Sequence, residues 1–225
     1  MLSTSLFCDR ADAGNQLARR LLSLITEAEV SLLPRIVYAL PRGGIPVAAP
    51  IARHLGCPLD IIVAKKITTI QNPELALGAV TSEGNVIWSH QKLWGGANSA
   101  WRQTALDYAR DKANAQKAEL SIGCQKENPQ GKLAVLVDDG IATGMTIAAA
   151  AQALKTHQPG QIWICAPVAP DSLIPWLEGL CDRAVILHTP DIFLSVSRFY
   201  DKFPQITTQE ALLYLQEHNR LSDPG

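Results

Sequence analysis

Three observations predict an α/β protein built on a mostly parallel sheet flanked by helices. Short apolar, β-branched runs alternate with helix-patterned segments along most of the 225 residues. Turn-rich loops stand at the carboxyl ends of those runs, as right-handed β-α-β crossovers require. No repeat, low-complexity tract or linker divides the chain, so a single domain is expected, at a length that buries a sizeable core.

The elements follow in order. Residues 12–29 carry Leu17, Leu21, Leu22 and Ile25 at helical spacing, with Asp12 as the N-cap. RIVYAL, Arg35 to Leu40, reads as a buried strand; PRGG turns the chain into the helix IPVAAPIARHLG, which Gly56 stops. LDIIVA, Leu59 to Ala64, is the next strand and ends on Lys65 and Lys66. From Thr68 to Glu74 the chain is polar, with Asn72-Pro73 as a turn signal, and LALGAV and NVIW then flank Thr81 to Gly84 as a hairpin. Ser99 to Ile122 is a long, alanine-rich surface helix, and QKENPQGK is a loop. The strands LAVLV, IWICAPV and RAVILH alternate with the helices MTIAAAAQALKT and DSLIPWLEGL, the latter with Pro175 near its start. TTQEALLYLQEHNRL is a last amphipathic helix.

Composition narrows the function. A net charge of −1 with 18 % charged residues offers no basic excess for nucleic acid or an anionic membrane. Five cysteines without a CxxC pair fit reduced thiols in a cytoplasmic protein, and five scattered histidines give no zinc spacing. The N-terminus lacks a signal-peptide pattern, and no apolar run approaches the roughly 18 residues of a membrane span. A soluble, cytoplasmic protein is expected.

The chemistry is concentrated in LVDDGIATGMT, Leu136 to Thr146. A buried strand there ends on two aspartates, and an unpaired carboxylate in a low-dielectric place costs several kcal/mol. At a strand end they can accept hydrogen bonds from vicinal hydroxyls. The segment behind them supplies backbone amides, the Thr143 and Thr146 hydroxyls and the positive end of the next helix, which together make a phosphate cradle. A sugar with both a cis-diol and a phosphate satisfies both halves. A P-loop is excluded because Met145-Thr146 stands where its Lys-Ser/Thr belongs, and the GxGxxG dinucleotide spacing is absent. Taken alone, Asp138 and Asp139 read more readily as caps of the turn and helix, and PRGG could equally be a tight strand-to-helix turn; the whole eleven-residue pattern reverses the first reading in favour of a ligand.

That pattern resembles the phosphoribosyl pyrophosphate (PRPP) signature of type I phosphoribosyltransferases. The resemblance implies that Asp138 and Asp139 bind the ribose hydroxyls, directly or through Mg²⁺, and that Gly140, Ile141, Ala142, Thr143, Gly144, Met145 and Thr146 form the loop around the 5′-phosphate. Gly140 departs from the aliphatic residue common there. Ala142 replaces the aspartate usual in 6-oxopurine enzymes, which turns the expectation toward an adenine-type motif. ALPRGGIPVA is similar to the family's pyrophosphate loop, with Pro41, Arg42, Gly43 and Gly44 at the diphosphate and a cis peptide often found near this point. AKKI…NPELALGAV occupies the place of the mobile catalytic loop. Lys65 or Lys66, with Arg42, would neutralise the leaving group there, solvated strand-end lysines being the competing reading; Glu74 has at most a metal or loop contact.

The resemblance spans nearly the whole chain through F-x-DR-x-DAG at Phe7 to Gly14 and S-x-FY-x-x-F at Ser197 to Phe203, shared by a subgroup of predicted phosphoribosyltransferases. It implies a Rossmann-like phosphoribosyltransferase fold with a core of about 31–190 and a small hood from about 1–30 and 190–225. Phe193, Phe199 and Tyr200 are candidates to stack on an aromatic base, or else ordinary packing residues. The reaction implied is Mg²⁺-dependent transfer of phosphoribose from PRPP to a small nitrogenous acceptor, with release of pyrophosphate. The alternatives are a non-catalytic sensor of PRPP or a nucleotide on the same fold, and a phosphosugar enzyme with another leaving group. Relatives are commonly dimers, so a homodimer is compatible with the resemblance.

Overall fold

The computed structural model describes residues 5–27, 29–68, 76–89 and 99–221. Helix α1 (Arg10–Thr26) starts two residues earlier than the apolar spacing suggests. Its N-cap is Asp9, whose carboxylate accepts the Asp12 amide, while the Asp12 carboxylate accepts the Cys8 amide. Asp9 thus caps the helix, and Asp12, within the first turn, reaches back to the amide of the residue before the cap.

Strand β1 (Arg35–Ala39) leads through the PRGG turn into α2 (Gly44–Leu55), which ends at Gly56 in the left-handed conformation. The apolar run expected to be one strand over 59–64 breaks. Strand β2 (Leu59–Ile61) continues the main sheet, whereas β3 (Ala64–Thr68) belongs to a second one. The break is a change of hydrogen-bond partner: the Ile62 amide donates to Ala39, but the Val63 carbonyl accepts from Ser82. Lys65 and Lys66 therefore lie inside β3, opposite Val80 and Ala79, and not at a strand end. Strands β4 (Ala76–Thr81) and β5 (Val86–Trp88) form the expected hairpin and complete a three-stranded antiparallel sheet with β3.

Helix α3 (Ser99–Leu120) packs on β3 and β4 through Ala109. Then β6 (Leu133–Val137), α4 (Met145–Thr156), β7 (Gln161–Val168), the short α5 (Ile174–Glu178), β8 (Arg183–His188) and α6 (Thr208–Leu221) follow. The segment expected as one helix over 171–180 opens instead with a 3-10 turn at Asp171–Leu173, Pro175 taking the first turn of α5 where its missing N–H costs nothing.

The main sheet has the order β2-β1-β6-β7-β8, all pairs parallel. Alternation along the strands divides the core between its faces. Val37, Val135 and Val137 face α1 and α2 through Leu17, Leu21, Val47 and Ile51; Ile36, Leu136 and Ile164 face α4 through Ile147 and Leu154. Helix α1 belongs to this core, so the expected hood over 1–30 reduces, among the described residues, to the segment before it: the amides of Leu6 and Phe7 donate to Phe199, and those of Asp201 and Lys202 donate to Phe7 and Cys8. All five cysteines are free thiols. Among the described residues no helix is long and apolar enough to cross a membrane.

Strand order reverses direction between β1 and β6. Ligands of open α/β sheets bind at such a switch point, outside the carboxyl ends of the strands. PRGG follows β1 and DDGIATG follows β6, so the topology alone puts the two loops side by side.

Candidate functional site

The two loops are tied together at their roots. The Leu40 amide donates to Val137 at 2.8 Å, extending the β1–β6 ladder past the strand ends, and the Gly44 amide donates back to Leu40 at 3.0 Å. The Pro41–Arg42 peptide is cis. Gly43 lies so near the acidic pair that a β-carbon there would stand 2.1 Å from Asp139 Oδ2; only glycine permits this approach. Between the loops opens a cavity of about 480 Å³ lined by Pro41, Arg42, Gly43, Asp138, Asp139 and Thr146, together with Arg10 and residues 203–206.

The second loop is anchored by the Ile141 amide on Val168, and Ile141 itself is buried. Gly140 is also buried, with Val196 packed directly on its α-carbon side, which accounts for the departure from an aliphatic residue there. Ala142 and Thr143 are exposed at the turn. Gly144, at φ 72°, caps α4 without a side chain, so the first amides of that helix have no intrahelical partner and point into the loop. The Trp176 ring closes over Gly144 from behind. Thr146 faces the cavity between the loops; Thr143 and Met145 face a second, more apolar cavity of about 630 Å³ beside Trp88 and Trp176.

Electrostatics at the acidic pair are dominated by burial, which raises both carboxyl pKa values. At Asp138 the adjacent Asp139 charge adds to the rise; at Asp139 the Arg10 guanidinium opposes it. The Asp139 amide donates to Asp138 Oδ1 at 2.9 Å. Sequence reasoning does not single out Arg10, although it is the arginine of F-x-DR-x-DAG. It is 7 % exposed, donates from Nε to Asp139 Oδ2 at 2.8 Å and from Nη1 to the Pro204 carbonyl at 2.8 Å, and lies 3.7 Å over the Phe203 ring. Spacing along the chain cannot show that a residue 129 positions upstream reaches the acidic pair.

Arg42 extends from the PRGG loop to the start of α6, where its Nη1 donates to Thr208 Oγ1 at 3.1 Å. Lys65 is partly buried near it, its pKa lowered by burial and then by the Arg42 and Lys112 charges, while Lys66 is exposed. Glu74 and the Asn72-Pro73 turn lie outside the described residues.

The aromatic candidates are redistributed. Tyr200 is buried against Phe7 and Phe203, and its hydroxyl donates to the Asp139 carbonyl at 2.5 Å, so its ring has no face open to a base. Phe193 and Phe199 pack on each other at 5.4 Å and do not line the cavity. The aromatic on the cavity wall is Phe203, the last residue of the S-x-FY-x-x-F segment.

Comparison with known proteins agrees with this geometry. Residues 10–176 match the family model described as the phosphoribosyl transferase domain. Two Mycobacterium tuberculosis proteins, from strains CDC 1551 / Oshkosh and ATCC 25618 / H37Rv and provisionally named phosphoribosyl transferases, are each 36 % identical over 216 residues, covering 96 % of this chain and 47 % of their own. This chain thus spans about half the length of those curated relatives. The crystal structure of TT1426 from Thermus thermophilus superposes with a TM-score of 0.76 at 31 % identity, covering 94 % of this chain and 98 % of that one. With a matching model over more than half its residues, and with the PRGG and DDGIATG loops side by side at the switch point of the sheet, the chain belongs to the phosphoribosyl transferase family.

Proposed function

We propose that the protein transfers a phosphoribosyl group from PRPP to a small nitrogenous acceptor, releasing pyrophosphate. The observation that carries this reading is the contact between the PRGG loop and the acidic loop at Gly43 and Asp139, which joins an amide-and-arginine loop and a diol-and-phosphate loop into one cavity. Such a reaction needs no side-chain nucleophile. The bond from C1′ to pyrophosphate breaks toward an oxocarbenium-like state and the acceptor nitrogen attacks, so the protein must hold both partners and stabilise departing charge.

Each part then has a task. The N-terminal amides of α4 and the Thr146 hydroxyl bind the 5′-phosphate. Carboxylate oxygens of the acidic pair accept the ribose hydroxyls. The PRGG amides and Arg42, with Lys65 nearby, hold the diphosphate. Phe203 and the backbone of residues 204–206 form the wall against which the acceptor rests.

Mg²⁺ takes about six oxygen ligands, usually several of them water and phosphate. Among the described residues no group of three His, Cys, Asp or Glu converges, and one cavity carboxylate is committed to Arg10. These residues fit an ion that arrives on the diphosphate, with Asp138 and Asp139 reaching it through water or sugar. Bound there, Mg²⁺ would offset the charge of the leaving group.

Titration calorimetry with PRPP·Mg²⁺, followed by a pyrophosphate-release screen over purines, pyrimidines and simple amines, tests the proposal. Release with at least one acceptor supports it. Binding without release for every acceptor would favour a sensor, and absence of binding would remove both readings.

A further inference from the structure

We propose that Arg10 is a positioning residue of the phosphoribosyl site: a built-in cation that pins Asp139, leaves Asp138 as the principal acceptor for the sugar hydroxyls, and withholds the acidic pair from direct ligation of a divalent ion. This inference rests on the phosphoribosyl reading.

A buried guanidinium is costly unless its donors are paired. Arg10 meets that condition with groups that belong to the site: the Asp139 carboxylate, the Pro204 carbonyl and the Phe203 face. Asp139 is fixed from every side. Arg10 holds its Oδ2, Gly43 closes against the same oxygen, its amide donates to Asp138, and its carbonyl accepts the Tyr200 hydroxyl. The Oδ2 oxygen is therefore spent on Arg10, and the backbone that carries the carboxylate is tied down at its amide and carbonyl. Three parts of the chain converge to hold it: the start of α1, the PRGG turn and the segment from Tyr200 to Pro204.

The chemistry of the two possible guests differs. A divalent cation is recognised by accumulated negative charge, and two ionised neighbouring carboxylates supply it. A sugar diol is neutral and donates hydrogen bonds, so it needs oriented acceptors and gains little from a second net charge. Arg10 removes one of the two charges while keeping both carboxylates in place, a device that suits the diol. Pairing through Nε, with Nη1 spent on Pro204, also makes the geometry depend on the seated 203–204 segment. The acceptor wall and the sugar acceptors are thereby set by one side chain.

The test compares wild type, Arg10→Lys, Arg10→Ala and the double variant Arg10→Ala/Asp139→Asn. Free Mn²⁺ is followed by electron spin resonance with no PRPP present. Ribose 5-phosphate affinity is measured in EDTA, and pyrophosphate·Mg²⁺ affinity separately, by calorimetry. Removing a charge-assisted contact should weaken ribose 5-phosphate about tenfold in Arg10→Ala while pyrophosphate·Mg²⁺ changes less than about twofold. The same variant should gain a Mn²⁺ site about tenfold tighter than any in wild type. Arg10→Lys should restore both values toward wild type, and the double variant should lose the Mn²⁺ gain.

Wild-type values for both ligands in Arg10→Ala would overturn the proposal, as would equal losses for ribose 5-phosphate and pyrophosphate·Mg²⁺, which indicate a merely structural arginine. If Arg10→Ala does not fold, Arg10→Lys and the double variant decide: Mn²⁺ binding by the double variant, or an unchanged ribose 5-phosphate affinity in it, refutes the role. Wild type that binds no ribose 5-phosphate defeats the phosphoribosyl reading itself, and with it the sugar half of the proposal. The Mn²⁺ comparison then still decides the metal half.

Discussion

Replacing Gly43 with alanine probes the junction of the two loops. The new β-carbon would lie 2.1 Å from Asp139 Oδ2 and 2.7 Å from its Cγ, whereas ordinary contact begins near 3.4 Å. The carboxylate must retreat by about 1.3 Å. It cannot do so for free, because Arg10 Nε stands 2.8 Å from the same oxygen. The substitution therefore breaks or badly strains a charge-assisted hydrogen bond, worth about 2 kcal/mol. For a chain of this length that is a fall in Tm of about 4–8 °C. On the proposed function, affinity for ribose 5-phosphate should fall about tenfold, because a displaced Asp139 disturbs Asp138, whose Oδ1 accepts the Asp139 amide. Differential scanning fluorimetry and calorimetry on purified Gly43→Ala measure both. A variant with wild-type Tm and wild-type affinity would refute the claim that these loops touch without slack.

Arg42→Ala should weaken pyrophosphate more than ribose 5-phosphate, by about tenfold against about twofold, in parallel titrations; equal losses would contradict its place at the diphosphate. Asp138→Asn should abolish sugar binding yet raise stability at neutral pH by about 1 kcal/mol, since it removes a buried charge beside another. The sign follows from linkage: a carboxyl whose folded pKa is raised binds its proton more tightly folded than unfolded. Its contribution therefore declines as pH rises from about 3.9 through the raised value, and the variant should lack that decline. His218 is buried, with its pKa lowered by burial, and Nε2 contacts the Cys57 carbonyl. Here the unfolded chain binds the extra proton, so stability should be full above pH about 6.5 and fall as pH drops toward the lowered value; His218→Gln should flatten that slope in urea melts.

The strands of the main sheet are legible because their apolar runs are short and bounded by turn residues, and the acidic loop because its chemistry is compressed into eleven consecutive residues. Where sequence reading falters, the deciding contact is remote. Nothing in LDIIVAKK marks the point where the Val63 carbonyl leaves one sheet for another, since the break falls inside the unbroken apolar run Ile61 to Ala64. Asp12 reads as the helix cap because it precedes the apolar spacing, but Asp9 is the cap and Asp12 bonds back to the Cys8 amide, and only geometry tells inner from outer. The aromatics near the C-terminus are visible as a group. Which of them is spent on packing depends on Phe7 and Arg10, residues nearly two hundred positions away. Arg10 itself lies in a motif that the sequence displays, yet its partner Asp139 can be found only by folding the chain.

The knitting of residues 6–8 to 199–202 has a consequence for the order in which the molecule becomes competent. A ribosome has made both loops of the cavity once Thr146 emerges, and the strands of the main sheet are complete after β7 and β8, at His188. The wall carrying Phe203 and Pro204 comes later. Until then the guanidinium lacks its aromatic platform and its carbonyl partner, and the acids stand uncovered. A protease that clipped the chain in the stretch after β8 would cut loose both the guanidinium's platform and α6, whose Ala211 and Leu215 lie in the main core, so damage there would surface in binding and in stability together.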